Sequence, residues 1–274
     1  MEDGSLRVKT SKTVWYRPEY DNGGASKLVK RLFNVTSDIF ENPKSIYLLI
    51  DLLKIINHKD AIILDFFSGS ATTAHAVMQL NAEDGGKRKF IMVQLPEVCA
   101  ENSEAYKAGY KNICEIGKER IRRAGKKIKE ENPLTTQDLD IGFRVLKCDS
   151  SNMEDVYFTP KEYMDKQQNL FVDNIKADRS DEDLLFDAML KLDTPLSSKI
   201  EKITIAGKTV YNVAQGHLMA CFDKNVTDEV ITAIAKEMPS YFVMRDSSQA
   251  DDSVAINFEQ IFNTYSPQTV RRVL

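Results

Sequence analysis

The stretch Ile62–Val77, which reads IILDFFSGSATTAHAV, decides the fold of this chain. It opens with a short apolar run that is too short for a membrane span and typical of a buried parallel strand. An acid, Asp65, follows this run, and the small-residue loop 68–71 then leads into a segment rich in helix formers. Strand, acid, tight loop and helix in this order predict the first crossover of a nucleotide-binding α/β sheet.

We expect a ligand of this stretch to lie over the loop, where the start of the helix offers unpaired backbone N–H groups. Gly69 favours a close approach of the ligand to the backbone because it has no Cβ. The dinucleotide fingerprint G-x-G-x-x-G is not present, since Gly69 is the one glycine of the loop. The pattern therefore favours a smaller adenosine-type ligand, and the alternative is an ordinary strand–helix unit with a small-residue turn.

Length and composition set the broad class of the protein. The chain has 274 residues, of which 42% are hydrophobic and 28% charged, which suits a globular protein of two domains. Its net charge of -4 argues against nucleic-acid binding by bulk charge, although local basic patches remain compatible with it. The four cysteines form no C-x-x-C pair, so we expect no metal site, no disulfide framework and a reducing, cytoplasmic location. No segment has the apolar length of a transmembrane helix, and we expect no membrane partner.

A helix is predicted upstream of the opening stretch, within Phe40–His58. Asn42 followed by Pro43 is a favourable N-cap with proline at the first helical position. Apolar residues then recur at helical spacing from Ile46 to Ile56. Lys44, near the start of this helix, is a candidate to reach the ligand, and a solvated lysine is the alternative.

A second apolar strand is predicted at Phe90–Leu95, which reads FIMVQL. In open α/β sheets an acid or amide at the carboxyl end of the second strand often binds ribose hydroxyls. Gln94 and Glu97 are the candidates for this role.

A long basic helix is predicted at Asn112–Glu131. It carries candidates for weak contacts to DNA phosphates, namely Lys118, Arg120, Arg122 and Arg123. The alternative is a solvated helix whose thin apolar face packs against the protein.

The remaining segments have weaker patterns. We predict a strand at Leu6–Tyr16, a turn at Asp21–Ala25, a short helix at Ser26–Phe33, and a strand at Ile141–Lys147. From residue 181 the periodicity predicts a small α+β unit. Its helices are expected at Glu182–Leu192, Asp228–Glu237 and Ala255–Phe262, and its strands at Ile200–Ile205, Val210–Val213, Leu218–Phe222 and Tyr241–Arg245, with a hairpin turn at Ala206–Gly207.

Several of these stretches together resemble the Mod (modification) subunits of type III restriction–modification systems, which are adenine-N6 DNA methyltransferases of the β arrangement. The matching stretches are FENPKS at Phe40–Ser45, DFFSGSATTAHAV at Asp65–Val77, RKFIMVQLPE at Arg88–Glu97, IGKERIRRA at Ile116–Ala124, FRVLKCDSSN at Phe143–Asn152, and the closing run Arg245–Pro267.

The resemblance implies S-adenosylmethionine as the cofactor and double-stranded DNA as the substrate. It places Asp65, Phe66, Phe67, Ser68, Gly69, Ser70, Thr72 and Thr73 on the cofactor loop, and Asn42, Pro43, Lys44 and Ser45 on the motif that closes over the methionine end. It also implies a second Mod subunit as a homodimer partner and a restriction (Res) subunit as a further one.

The resemblance further implies a Rossmann-like methyltransferase sheet, incomplete at its N-terminal side, with a smaller C-terminal α+β domain. On this reading residues 1–36 end a target-recognition region, 37–150 bind the cofactor, 151–180 form a linker or lid, and 181–274 form the C-terminal domain.

Three departures from the family pattern stand out. Ala71 replaces a glycine of the usual G-S-G-T-T loop, which is costly if the residue has positive φ. Gln94 replaces the usual acid, and Glu97 is the candidate to substitute for it. The catalytic D-P-P-Y motif does not occur in the chain. We therefore expect a C-terminal piece of a methyltransferase that is inactive alone; the alternative is a non-catalytic module for Mod dimerisation or Res docking.

Overall fold

The computed structural model describes residues 14–154, 174–249 and 252–274, and it divides the chain into an N-terminal unit, Met1–Phe143, and a C-terminal unit, Arg144–Leu274. The strand predicted at Leu6–Tyr16 and most of the linker predicted at 151–180 lie outside the described residues. The two units are described separately below.

The N-terminal unit is mostly helical in its described part. Its helices and strands, in chain order, are α1 (Asn22–Phe33), α2 (Ile46–Ile56), β1 (Ile62–Asp65), α3 (Thr72–Asp84), β2 (Lys89–Met92), α4 (Glu104–Lys107) and α5 (Ile113–Glu131).

Two helix starts differ from the prediction. Helix α2 is capped by Ser45, whose hydroxyl accepts a hydrogen bond from the Tyr47 N–H at 3.2 Å. The N-cap predicted at Asn42 is therefore wrong: Asn42 has φ of 50° and forms a left-handed turn before the helix. Helix α1 begins within the predicted turn Asp21–Ala25, because the Asp21 carboxylate accepts from the Gly24 N–H and caps the helix.

Strands β1 and β2 form a parallel pair in which Ile63 lies beside Phe90 and Leu64 beside Ile91. One face of this pair, with Ile63 and Phe90, packs against the helices. Helix α3 lies between α2 and α5 and is buried on nearly all sides. The core of the unit thus lies on one side of the sheet.

The opposite face of the pair is open within the described residues. Leu64 and Ile91, which are neighbours in the register, are 49% and 50% exposed, and Ile62 is also exposed. The described part of the unit places no strand beside the second edge of β1. The strand predicted at Ile141–Lys147 is wrong, because its alternation arises from packing on a helix: Ile141 lies against Gly125 of α5.

The C-terminal unit contains a five-stranded mixed sheet in the order β3-β4-β5-β6-β7. Its helices and strands, in chain order, are α6 (Asp181–Lys191), β3 (Ile200–Ile205), β4 (Lys208–Val213), β5 (Leu218–Cys221), α7 (Asp228–Lys236), β6 (Tyr241–Met244), α8 (Asp252–Tyr265) and β7 (Val270–Val273). The predicted hairpin turn at Ala206–Gly207 is confirmed, and both of its residues have positive φ. Strand β7 was not predicted.

This second sheet is covered on both faces. Met219 and Cys221 of β5 point to one core with α7 and α8, whereas Leu218 and Ala220 point to another with α6. Ile175, which bridges to Met153, is buried in the core with α6. The C-terminal unit therefore includes residues that the sequence assigned to a linker.

Candidate functional site

The site is built around the loop between β1 and α3, at the carboxyl end of the sheet. Asp65 ends β1, and its carboxylate accepts hydrogen bonds from the Phe67 N–H at 3.2 Å and from the Thr73 hydroxyl at 2.5 Å. One side chain thus fastens both ends of the loop. Phe66 and Phe67, by contrast, are largely exposed beside it.

The loop contains two left-handed residues. Gly69 has φ of 51°, and Ala71 has φ of 60°. Ala71 is the N-cap of α3 and supplies no side-chain hydrogen bond, so the first-turn N–H groups lack a side-chain cap. Ala71 therefore occupies the conformation in which alanine is less favourable than glycine.

The end of β2 is tied to this loop. The Gly69 N–H donates to Gln94 Oε1 at 2.7 Å, and Gln94 Nε2 donates to Glu97 Oε1 at 3.4 Å. The structure thus brings the two predicted ribose candidates together next to the loop. Glu97 is exposed, and its carboxylate can accept hydrogen bonds from two hydroxyl groups.

The segment before α2 also reaches the loop, through an aromatic residue. A Cβ built on Gly69 would lie 3.1 Å from Cζ of Phe40, so the ring packs directly against the glycine. Among the predicted residues of this segment, Pro43 and Ser45 are buried, and Ser45 donates to the Glu19 carbonyl. Asn42 and Lys44 are exposed.

Two predicted loop residues turn their side chains inward. Ser70 and Thr72 are buried, and both hydroxyls accept from Nη1 of Arg120 at 2.7 Å. Their side chains bond to Arg120 beneath the loop, so only their backbone groups are available to contact a ligand.

Helix α5 presents fewer accessible, unpaired positive charges than its sequence suggests. The predicted DNA contact by Arg120 is wrong, since this side chain is fully buried. Arg123 donates to the Phe33 carbonyl at the end of α1, and it pairs with Glu119. Lys118 pairs with Glu115 at 2.6 Å. The charges of α5 are thus largely neutralised by acids one turn away.

Arg122 is the most accessible of the four candidates. Its side chain is 55% exposed, pairs loosely with Glu119 at 3.6 Å, and lies over the Phe143 ring.

His75 lies in α3 beneath the loop and is 5% exposed. Burial, together with the positive charge of Arg120, lowers the pKa of His75 to about 3. The imidazole is therefore neutral at pH 7, and its Nδ1 lacks a hydrogen-bond partner among the described residues.

A groove of about 460 Å³ runs between α2 and the open edge of β1 and reaches Asp65 and Thr73. It is lined by apolar side chains of α2, including Leu49 and Leu53. Among the described residues, no cluster of three or more His, Cys, Asp or Glu has metal-ligand geometry. No described helix is both long and apolar enough to cross a membrane.

Sequence reasoning missed the role of three residues that pack against the loop: Phe40, Gly117 and Arg120. Gly117 lies directly beneath the loop, since a Cβ there would be in van der Waals contact with the Ala71 Cβ at 3.5 Å. Arg120 could have been found from its spacing, because it lies four residues from both Ile116 and Ala124 and so falls on the apolar stripe of α5. Its burial follows from that position.

Comparison with known proteins agrees with this geometry. Residues 4–130 match the DNA methylase family N6_N4_Mtase. The chain is 34% identical to the type III restriction-modification enzyme EcoPI Mod subunit of Escherichia phage P1, over 86% of this chain and 35% of that protein. It is 30% identical to the EcoP15I Mod subunit of Escherichia coli, over 80% of this chain and 32% of the relative.

A third relative is more similar over a shorter stretch of the chain. The StyLTI Mod subunit of Salmonella typhimurium is 45% identical over 46% of this chain and 19% of its own length. The chain thus spans about a third, or less, of the curated relatives it matches. These matches confirm the resemblance to type III Mod subunits that the motifs indicated.

Proposed function

We propose that this chain, a relative of the type III Mod subunits, forms the cofactor-binding part of a DNA adenine-N6 methyltransferase, with S-adenosylmethionine as the methyl donor. The observation that carries the proposal is the joined end of β1 and β2, where the Asp65–Thr73 loop is tied to Gln94. Ligands of open α/β sheets bind at this end of the strands.

The residues at this end suit an adenosine-type cofactor. Glu97 and Gln94 provide acceptors for ribose hydroxyls, and the uncapped first turn of α3 provides N–H donors for a carboxylate. Gly69 leaves the backbone open where a side chain would meet Phe40. Phe66 and Phe67 offer exposed rings for contact with the base.

When bound, the cofactor would supply an activated methyl group on its sulfonium. The role of this chain is to position it: the Asp65–Thr73 loop fixes the donor, and Phe40 closes one side of the loop. Catalysis of this kind depends mainly on orientation of the two reactants. The target adenine must leave the DNA duplex to reach the donor.

The open face of the β1–β2 pair supports the idea that further structure completes the methyltransferase sheet. Parallel sheets are normally covered on both faces, and Leu64 and Ile91 are uncovered here. Since D-P-P-Y does not occur in the chain, we infer that the adenine-binding half of the site comes from other parts of the protein. Double-stranded DNA, a second Mod subunit and a Res subunit are the partners we propose.

Calorimetric titration of the chain with S-adenosylmethionine tests the proposal. We expect saturable one-site binding that is competed by S-adenosylhomocysteine and not by NAD. Gly69→Val, which forces a branched side chain into positive φ against Phe40, should abolish the binding. A matched variant in the other unit, Gly207→Val at the β3–β4 turn, should keep it. Absence of binding by the unaltered chain at millimolar cofactor would refute the proposal.

A further inference from the structure

Arg120 is a buried cation without a carboxylate partner among the described residues. The side chain is fully buried, and its Nε and Nη2 atoms lack hydrogen-bond partners there. Burial lowers the pKa of Arg120 to about 10, so the guanidinium stays charged at neutral pH. Burying a charge without full pairing is costly, and such a residue needs a compensating role.

The contacts of Arg120 identify that role. Its Nη1 donates to the hydroxyls of Ser70 and Thr72, both at 2.7 Å, and these two residues flank Ala71. Ala71 is the left-handed residue on which the turn into α3 depends. A single nitrogen thus holds the side chains on both sides of the strained position.

Helix α5 supports the same turn through a second residue. Gly117 lies one turn before Arg120, and a Cβ there would meet the Gly69 carbonyl at 3.4 Å and the Ala71 Cβ at 3.5 Å. A Cβ at this position would be in ordinary van der Waals contact with the loop, so α5 packs directly beneath the turn whose hydroxyls Arg120 reaches. The Ala71 N–H donates to the Ser68 carbonyl at 2.7 Å and closes the turn from within.

We propose that Arg120 is a positioning residue for the cofactor loop, which it holds in its binding shape from beneath by bridging Ser70 and Thr72 across Ala71. The proposal rests on the proposed function only for the identity of the ligand. The clamp itself is a property of the free chain and is measurable without any cofactor.

The chain offers a matched control for the loss of a buried arginine. Arg88 is 6% exposed, and its guanidinium donates to Asp84 and Asn81 instead of to residues of the loop. Arg88→Met and Arg120→Met therefore both remove a buried guanidinium, but only the second releases the turn at Ala71.

The first measurement is hydrogen exchange of the free chain. We expect Arg120→Met to lower the protection of the Ala71 and His75 amides, which donate to the Ser68 and Ala71 carbonyls, about tenfold relative to the amides of β5, which serve as an internal reference. Arg120→Lys, which keeps the charge and a donor, should lose less. Ser70→Ala combined with Thr72→Val should reproduce the loss without removing the buried charge. Unchanged protection in both Arg120→Met and the hydroxyl double variant would overturn the clamp.

The second measurement is affinity for S-adenosylhomocysteine by calorimetry. We expect Arg120→Met to weaken binding about tenfold, which corresponds to the loss of one or two hydrogen bonds to a charged group. Adding Ala71→Gly should restore most of this affinity, because glycine adopts the left-handed turn without a clamp. Arg88→Met should bind like the unaltered chain.

Different outcomes would refute the cofactor assignment and the positioning role of Arg120. If the unaltered chain does not bind the ligand but Arg120→Met still lowers the protection of the Ala71 and His75 amides, the cofactor assignment fails and the clamp stands. If the chain binds and Arg120→Met binds equally well, the positioning role fails. Failure of Ala71→Gly to rescue binding would likewise overturn it and leave Arg120 as a core residue.

Discussion

The two sheets of this chain are made from similar apolar residues but are covered differently. In the five-stranded sheet, Met219 and Leu218 of the same strand point into two separate cores. In the β1–β2 pair, Ile63 is packed whereas its neighbour Leu64 is 49% exposed within the described residues. The difference teaches that the C-terminal sheet is stabilised by its own helices, whereas the sheet that carries the cofactor loop presents a face suited to further structure.

Phe242→Ala should give the largest effect, because this residue belongs to a fully covered sheet. Its ring is fully buried and stacks on Phe262 at a centroid distance of 5.3 Å. Truncation of such a ring costs about 3–5 kcal/mol of unfolding free energy. Hydrogen exchange of β5 in denaturant would measure the loss.

The matched change on the open sheet is Leu64→Ala. It should cost less than about 1 kcal/mol, because half of the side chain is already in solvent. A loss equal to that of Phe242→Ala would show that the face of Leu64 is covered in solution.

Acid should weaken the N-terminal unit through His75. The folded-state pKa is about 3, below the unfolded value of 6.5, so protons bind preferentially to the unfolded chain. Stability is therefore lost as the pH falls from 6.5 towards 3, and this one group accounts for about 2 kcal/mol at pH 5. Urea unfolding at pH 7 and pH 5, followed by the single tryptophan, Trp15, would measure it.

His75→Gln is the control for this effect, since it removes the titrating group and keeps a polar side chain. Its stability should fall less between pH 7 and pH 5 than that of the unaltered chain. Equal losses in the two proteins would show that His75 is protonated as readily in the folded state as in the unfolded chain.

Polar substitution of the open face should change association more than stability. Leu64 and Ile91 are neighbours in the register, and both are about half exposed. The double change Leu64→Ser and Ile91→Ser should therefore lower the unfolding free energy by no more than about 2 kcal/mol and reduce the self-association measured by light scattering. If the double variant did not fold, the claim that the face with Leu64 and Ile91 is exposed would be wrong.

Ala71→Gly should give the smallest effect on stability. Relief of the left-handed conformation contributes about 1–2 kcal/mol. The lost buried methyl costs about 0.8 kcal/mol, and the added freedom of the unfolded chain costs about 0.5–1 kcal/mol. These terms nearly cancel, so thermal melting should change little. A large drop in melting temperature would show that the Ala71 methyl contributes more by packing on Gly117 than its burial suggests.

Much of this arrangement was predictable because it is local. Periodicity predicted α5 and four of the five strands of the C-terminal unit, and the order of Asp65, loop and helix predicted the position of the cofactor loop. The N-cap of α2 was misplaced because Asn42–Pro43 fits the local rule, whereas Ser45 makes the bond.

The features of the site that the sequence did not predict depend on contacts between residues far apart in the chain. Arg120 was assigned to a charged surface because its partners, Ser70 and Thr72, lie about fifty positions away. The contact of Ala71 with Gly117 of α5 likewise joins residues far apart in the chain, and no local pattern shows it. The exposure of Leu64 depends on what covers the sheet, which a strand pattern does not specify.

The most direct test of the account is an amide chemical-shift map of the whole chain during titration with S-adenosylmethionine. We predict that the large changes cluster at residues 65–73 and 94–97, with smaller ones around Phe40, and that the strands of the C-terminal unit do not respond. Changes centred on the C-terminal sheet, or none at saturating cofactor, would contradict the assignment of the β1–α3 loop as the cofactor site.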